Sequence, residues 1–214
     1  PSADPASGDR LAPGLTTSGV DDDTALASAH AESVRDRRYR WRVRYREHDR
    51  DDRFFVPAAR TTVVRVGEND RIHARVIGWG EPAASPLSDS RRAAYADGEH
   101  RYVRRQGPNG TATVTRSALG AVPARRYARQ AAQYVRWFVD AGETRVRGSV
   151  ERDGTTYHRL VGRGEGFTVT DGYSLSALVS STGFVRSLRG SYVPDEDPGV
   201  VGVIEFEDDR LLRH

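Results

Sequence analysis

Cysteine and lysine are both missing from this 214-residue chain. The first absence excludes disulfides, thiolate metal sites and cysteine nucleophiles within it. The second makes all 33 basic residues arginine. Guanidinium stays charged, pairs bidentately with carboxylates and is weakly hydrated, so arginine can line a sheet face beside acidic partners. The same usage is what a GC-rich genome produces. Apolar residues are few, 37% against 29% charged, a balance that suits a thin sheet with one wet face better than a two-sided α/β core. No run approaches the roughly 18 apolar residues of a membrane-crossing helix. A signal-peptide pattern is also missing: the chain opens at Pro1 without methionine and is polar from the start. The expectation is that a leader or an upstream segment has been removed. The length fits one domain, or one with a tail. With 30 anions against 33 cations the formal charge is only +3, and the surface reads as mixed.

Along the chain, residues 1–20 are rich in Pro, Ser, Gly, Ala and Thr and read as a flexible tether with too little apolar surface to offset ordering entropy. Residues 21–207 read as a single domain and 208–214 as a C-terminal tail. Asp21, Asp22 and Asp23 precede an Ala-rich run in which Leu26, His30 and Val34 share a face, which predicts a helix from about 22 to 37. In Tyr39–Arg46 the odd positions are Tyr39, Trp41, Val43 and Tyr45, and the even ones are all arginine. Period two of this kind is a strand with an apolar and a guanidinium face. Further strands follow around Thr61–Val66 and from Ile72 to near Trp79. A Pro/Ser loop comes next, and then a hairpin about Asp97-Gly98. A second helix is expected at about 123–141, with Tyr127, Ala131, Tyr134, Val135 and Phe138 along one stripe. Beyond it the chain is a meander of hairpins turning at Asp153-Gly154 and Thr182-Gly183. The expected fold class is α+β: a large curved antiparallel sheet, an unclosed β-barrel, with two helices packed on its concave face.

This order of helix, long strands, inserted helix and terminal meander resembles the lipoprotein-carrier fold of LolA, LolB, LppX and LprG. More locally, Pro13-Gly14, Ser18-Gly19-Val20, Asp21–Asp23 and Ala29-His30 are similar to the opening of haloarchaeal secreted lipoproteins just after their lipidated cysteine. The resemblance covers about the first 45 residues by motif and the rest by element order. It implies a half-barrel that often holds an acyl chain, an extracytoplasmic address, and a membrane anchor on a cysteine upstream of this chain.

Catalytic and metal signatures were weighed against plainer readings. The six histidines show no HxH, HxxxH or HExxH spacing, and His30 sits on the apolar helix stripe, where a hydrogen-bonded core histidine is expected. No GxSxG elbow occurs. Gly162–Gly166 lacks the strand-to-helix setting and the Lys-Ser/Thr of a phosphate loop, and reads as a turn. Asp49, Asp51 and Asp52 with Glu47 read as a solvated charge run rather than a calcium loop. Asn109-Gly110-Thr111 fits both an N-glycosylation acceptor and a tight turn.

Neither an enzyme nor a cofactor is expected. The leading expectation is a membrane-tethered extracytoplasmic protein holding a lipid-like molecule on its apolar face, lined by Trp41, Tyr45, Tyr134 and Phe138. The row Arg40, Arg42, Arg44 and Arg46 leaves a nucleic-acid or polyanion module as an alternative. The strict alternation disfavours it, because it parts the guanidiniums from the aromatic rings that would stack on bases. A structural cell-surface domain without ligand is the third reading.

Overall fold

The computed structural model describes residues 8–35, 37–52, 54–69, 71–81, 92–107, 109–119, 123–140, 143–164, 169–194 and 197–210. Three short strands, β1 (Arg10–Ala12), β2 (Leu15–Thr16) and β3 (Gly19–Val20), precede helix α1 (Asp23–Val34). Strands β4 (Tyr39–Asp49), β5 (Ala58–Val66), β6 (Arg71–Trp79), β7 (Arg92–Asp97), β8 (His100–Gln106) and β9 (Ala112–Ala118) lead to helix α2 (Pro123–Val139). Five more complete the chain: β10 (Glu143–Arg152), β11 (Thr155–Gly164), β12 (Val169–Ser180), β13 (Val185–Pro194) and β14 (Val200–Arg210).

The long strands form one 11-stranded antiparallel sheet in the order β10-β11-β12-β13-β14-β4-β5-β6-β7-β8-β9. It is two meanders joined by a single long-range pairing, β14 with β4. Between β9 and β10 the chain passes from one edge of the sheet to the other, and α2 is that crossover. Eleven strands about 4.8 Å apart would be about 50 Å wide if flat, whereas α2 covers about 25 Å. The sheet therefore curls around the helix without closing. This is the unclosed antiparallel sheet with two helices that the sequence predicts.

Period two explains which side faces in. Tyr39, Trp41, Val43 and Tyr45 are fully buried, while the arginines between them stay half-buried on the outer face. The N-cap of α1 is Asp22, whose carboxylate accepts the Ala25 N–H at 2.8 Å, satisfying one of the orphan donors of a helix start. The helix ends at Val34, short of the expected 37, because Arg35 adopts an extended ψ of 138° that leads into β4. Pro123 opens α2, where its missing N–H costs nothing. The stripe Ala131, Tyr134, Val135 and Phe138 is buried against the sheet.

Three expectations are corrected. Residues 1–7 lie outside the described residues, but 10–20 are not a tether. They form the β1–β3 sheet with Leu15 wholly buried, and the Val20 N–H donates to Thr144 Oγ1 on β10 at 2.8 Å. A compositional average misses this, since one leucine and two tight turns docked on a neighbour suffice. Gly14, at φ +71°, sits where a Cβ would come within 2.0 Å of Asp22 O. The tail assigned to 208–214 is in part strand: β14 runs to Arg210, and Asp208 is completely buried. Glu47 is not part of a solvated run either. As an odd position of β4 it points inward, is buried, and accepts the Tyr45 hydroxyl at 2.7 Å.

Candidate ligand-binding site

The four aromatics expected to line a ligand come together on the inner face. Trp41 meets Tyr134 edge-on at 5.9 Å between ring centroids, Tyr45 stacks on Tyr192 at 6.4 Å, and Tyr173 on β12 donates to the Phe138 carbonyl. All four are buried in the continuous core. Burial pushes the Tyr45 hydroxyl well up, aided by Tyr192 and Glu47, and raises Tyr192 to about 12. One donor in this cluster is unsatisfied: the Trp41 indole N–H is buried and has no acceptor among the described residues.

The outer arginine row is occupied by carboxylates. The register sets Arg44 opposite Glu205 and Arg42 opposite Glu207 on β14. Glu205 lies within 3.4 Å of Arg44, 3.1 Å of Arg46 and 3.6 Å of Arg189, and Glu207 pairs with Arg42. The row is thus an ion-paired belt on the solvent face. The aspartates nearby shape the β4–β5 turn: Asp49 accepts the N–H groups of Asp51 and Asp52, and Asp52 that of Phe54.

A different set of arginines is free of such partners. Beside α2, on the inner face, a recess of about 30 Å³ has Val64, Ala74, Val76 and Ala94 as its floor and Tyr127 and Gln130 on the helix side. Arg92, Arg101 and Arg126 surround it. Small side chains on β6 and β7 leave this space under the helix. Trp41 is directly opposite Val64 across the β4–β5 ladder. The electrostatics have a plain origin in the sequence: from His100 to Val139 there are eight arginines and no acidic residue. Against a total of +3, the remainder of the chain is therefore net −5. The overall charge conceals this block, and counting charge in windows would have found it. The four sequence-chosen aromatics adjoin the recess through Val64 but are not among the residues that line it.

The chain is similar in structure to the mycobacterial lipoprotein LppX. For LppX of Mycobacterium tuberculosis the identity is 12%, over 88% of this chain and 95% of the other, with a TM-score of 0.35. LprF from Mycobacterium bovis is 9% identical over 90% and 93% of the two chains, at a TM-score of 0.37. A DUF1329 family protein from Desulfovibrio piger is 10% identical over 91% and 95%, at 0.29. Scores this low fix no residue-by-residue correspondence. No family model matches the chain, and no curated protein does.

Two further features complete the survey of the site. A groove of about 480 Å³ runs over β10–β12 among Glu143, Arg145, Arg147, Val161, Arg163 and Ser174. His30 on α1 is fully buried, stacked on Phe184 at 5.6 Å. Its Nδ1 accepts the Val185 N–H at 3.2 Å, and its Nε2 lies 3.4 Å from the Asp208 carboxylate. The dyad ties α1 to β13 and β14 and has no access to solvent, so it is structural, as its place on the apolar stripe led one to expect.

Proposed function

We propose that the chain is a non-enzymatic, extracytoplasmic binding protein for an anionic amphiphile, such as a fatty acid or an acidic phospholipid. The observation that carries this reading is the convergence of Arg92, Arg101 and Arg126 over the apolar floor of Val64, Ala74, Val76 and Ala94. Carboxylate-free arginines on the inner face of a sheet call for an anion, and the floor calls for hydrocarbon. The buried Trp41 N–H next to Val64 is one more donor that an oxygen of such a ligand would satisfy. At about 30 Å³ the recess admits a water-sized group only, so an acyl chain enters as the Tyr127 end of α2 lifts from β5–β7. Trp41, Tyr45, Tyr134 and Phe138 then form the apolar wall beyond it. The N-terminal resemblance to secreted lipoproteins supports tethering to a membrane through an upstream lipid anchor.

The test is a titration of delipidated protein with a long-chain fatty acid and with the matching fatty alcohol. Hydrogen bonds to a charged group contribute about 1.5–3 kcal/mol, so the acid should bind at least tenfold more tightly. Reversing charge in Arg101→Glu with Arg126→Glu should abolish that preference. Equal affinity for acid and alcohol, or no binding of either, would sink the proposal. The groove at Arg145, Arg147 and Arg163 favours a second reading, a sulfated or phosphorylated polyanion. A sulfated oligosaccharide added to the same titrations would bind without displacing the fatty acid if both sites exist.

A further inference from the structure

The two edges of the sheet are treated differently. At the β10 edge the chain places β3, whose Gly19 lies so close to Thr144 that a Cβ would come within 2.1 Å of the Thr144 carbonyl oxygen. The same strand breaks register between Val146 and Ser149, with Gly148 at φ +108°. A bulge and a covering segment are two standard ways of blunting an edge. Strand β9 has neither. It pairs with β8 alone, keeps an unbroken register from Ala112 to Ala118, and is exposed along its whole length. Its sequence ATVTRSA has no proline and a single charge, Arg116.

The direction of its free backbone groups follows from the ends of the hairpin. The Gly107 N–H bonds to Thr111 O, and the Leu119 N–H to Glu99 O. Both belong to the pairs that exchange hydrogen bonds, and such pairs alternate along an antiparallel ladder. Thr113, Thr115 and Ser117 therefore bond to β8. Ala112, Val114, Arg116 and Ala118 point their N–H and C=O groups away from the sheet.

We infer that β9 pairs with β9 of a second copy, antiparallel about a two-fold axis through Thr115. That register sets Val114 against Arg116 of the other copy and Ala112 against Ala118. All four outward residues of each strand are then used, in about eight hydrogen bonds. The single charge meets an aliphatic side chain instead of its own image. On the other face Thr115 meets Thr115, and Thr113 meets Ser117. The nearest like charges in those rows on the inner face, Arg101 and the other copy's Arg105, are three strand spacings apart, about 14 Å. This exceeds the Debye length of about 8 Å at physiological salt. The inner faces of the two half-barrels become continuous across the axis.

The chain has no cysteine, so one introduced thiol reports register unambiguously. Thr115→Cys places two thiols opposite each other in a non-hydrogen-bonded pair, with Cα atoms about 4.5 Å apart, within disulfide reach. It should cross-link under mild oxidation, while Ser117→Cys, which faces Thr113, should not. In sedimentation the unmodified full chain should show a monomer–dimer equilibrium. Val114→Pro deletes an outward N–H and leaves the β8 ladder intact, and should weaken the dimer at least tenfold. A monomer at every accessible concentration overturns the inference. So does a dimer indifferent to Val114→Pro, equal cross-linking of both cysteine variants, or an edge that takes an unrelated extended peptide in preference to a second copy.

Discussion

Replacing His30 with alanine removes one side of a wholly buried contact between the first helix and the last strand. The Val185 N–H donates to Nδ1, so the ring proton is on Nε2, facing the Asp208 carboxylate at 3.4 Å. The variant leaves that amide without its acceptor and the carboxylate without its nearest donor. It also opens a space between Phe184 and Phe206, whose rings both lie 5.6 Å from the imidazole. Removing one partner of a buried charged pair costs about 3–5 kcal/mol. For a chain of this size each kcal/mol shifts Tm by roughly 2–4 °C, so a fall of roughly 10 °C is expected. Urea unfolding followed by circular dichroism and tryptophan fluorescence measures it, with an unchanged slope showing that the native state stays compact. Asp208→Asn should lose a comparable amount. His30→Leu combined with Asp208→Val should recover most of it, because an apolar pair of similar volume carries no desolvation penalty. Losses below about 1 kcal/mol for both single variants, or strict additivity in the double, would refute the argument that the two groups act as a unit.

Two other expectations follow from the N-terminal segment and the helix pair. Gly14→Ala should destabilise by about 2–3 kcal/mol in thermal unfolding, because a Cβ there meets Asp22 O at 2.0 Å. Gly154→Ala, at φ +70° but in open space, should cost about 1–2 kcal/mol of backbone strain alone. Asp23 is held below the ordinary carboxylate range by the hydrogen bond from Arg136, which ties α1 to α2 at 2.7 Å. A carboxyl lowered on folding contributes stability that is present above its unfolded value and is lost as pH falls through the folded one. Urea midpoints should therefore hold from neutral pH down to about pH 4 and decline below it. Asp23→Asn should make that acid limb shallower, by less than about 1 kcal/mol for so exposed a pair.

Much of the fold was legible because local period and tertiary role agree. Four aromatic or apolar residues alternating with four arginines can only be a strand with one wet face, and β4 is one. The hairpin turns at Asp97-Gly98 and Asp153-Gly154 mark φ-positive positions that few other residue types accept. What stayed hidden depends on distant partners. Nothing local to Asp208 announces that it will sit under His30, and Leu15 is buried only because β10 and α1 come to meet it. The site was half legible. Alternation places Trp41 and Tyr45 on the inner face, but whether an inner residue is core or lining depends on neighbours such as Ala74 and Ala94, whose smallness leaves space. The arginines of the recess were overlooked for another reason: thirty-three cations against thirty anions read as an even mixture, and the block without acids between His100 and Val139 vanishes in that total.

The junction of β4 with β14 also has a consequence for biosynthesis. Arg42 and Glu207 are 165 residues apart in the chain, and every strand from β5 to β13 is made between them. A nascent chain that has produced β4 through β9 has one meander with a raw edge along β4. That edge carries a row of arginines whose counter-charges have not yet been synthesised. Non-local pairings of this kind fold slowly, and unpaired edges invite misassembly in the interval. Completion of the last strand supplies hydrogen bonds and carboxylates to that edge in one event. The final residues thus act as a checkpoint: a chain truncated before β14 keeps both meanders but loses the only strand pairing that joins them.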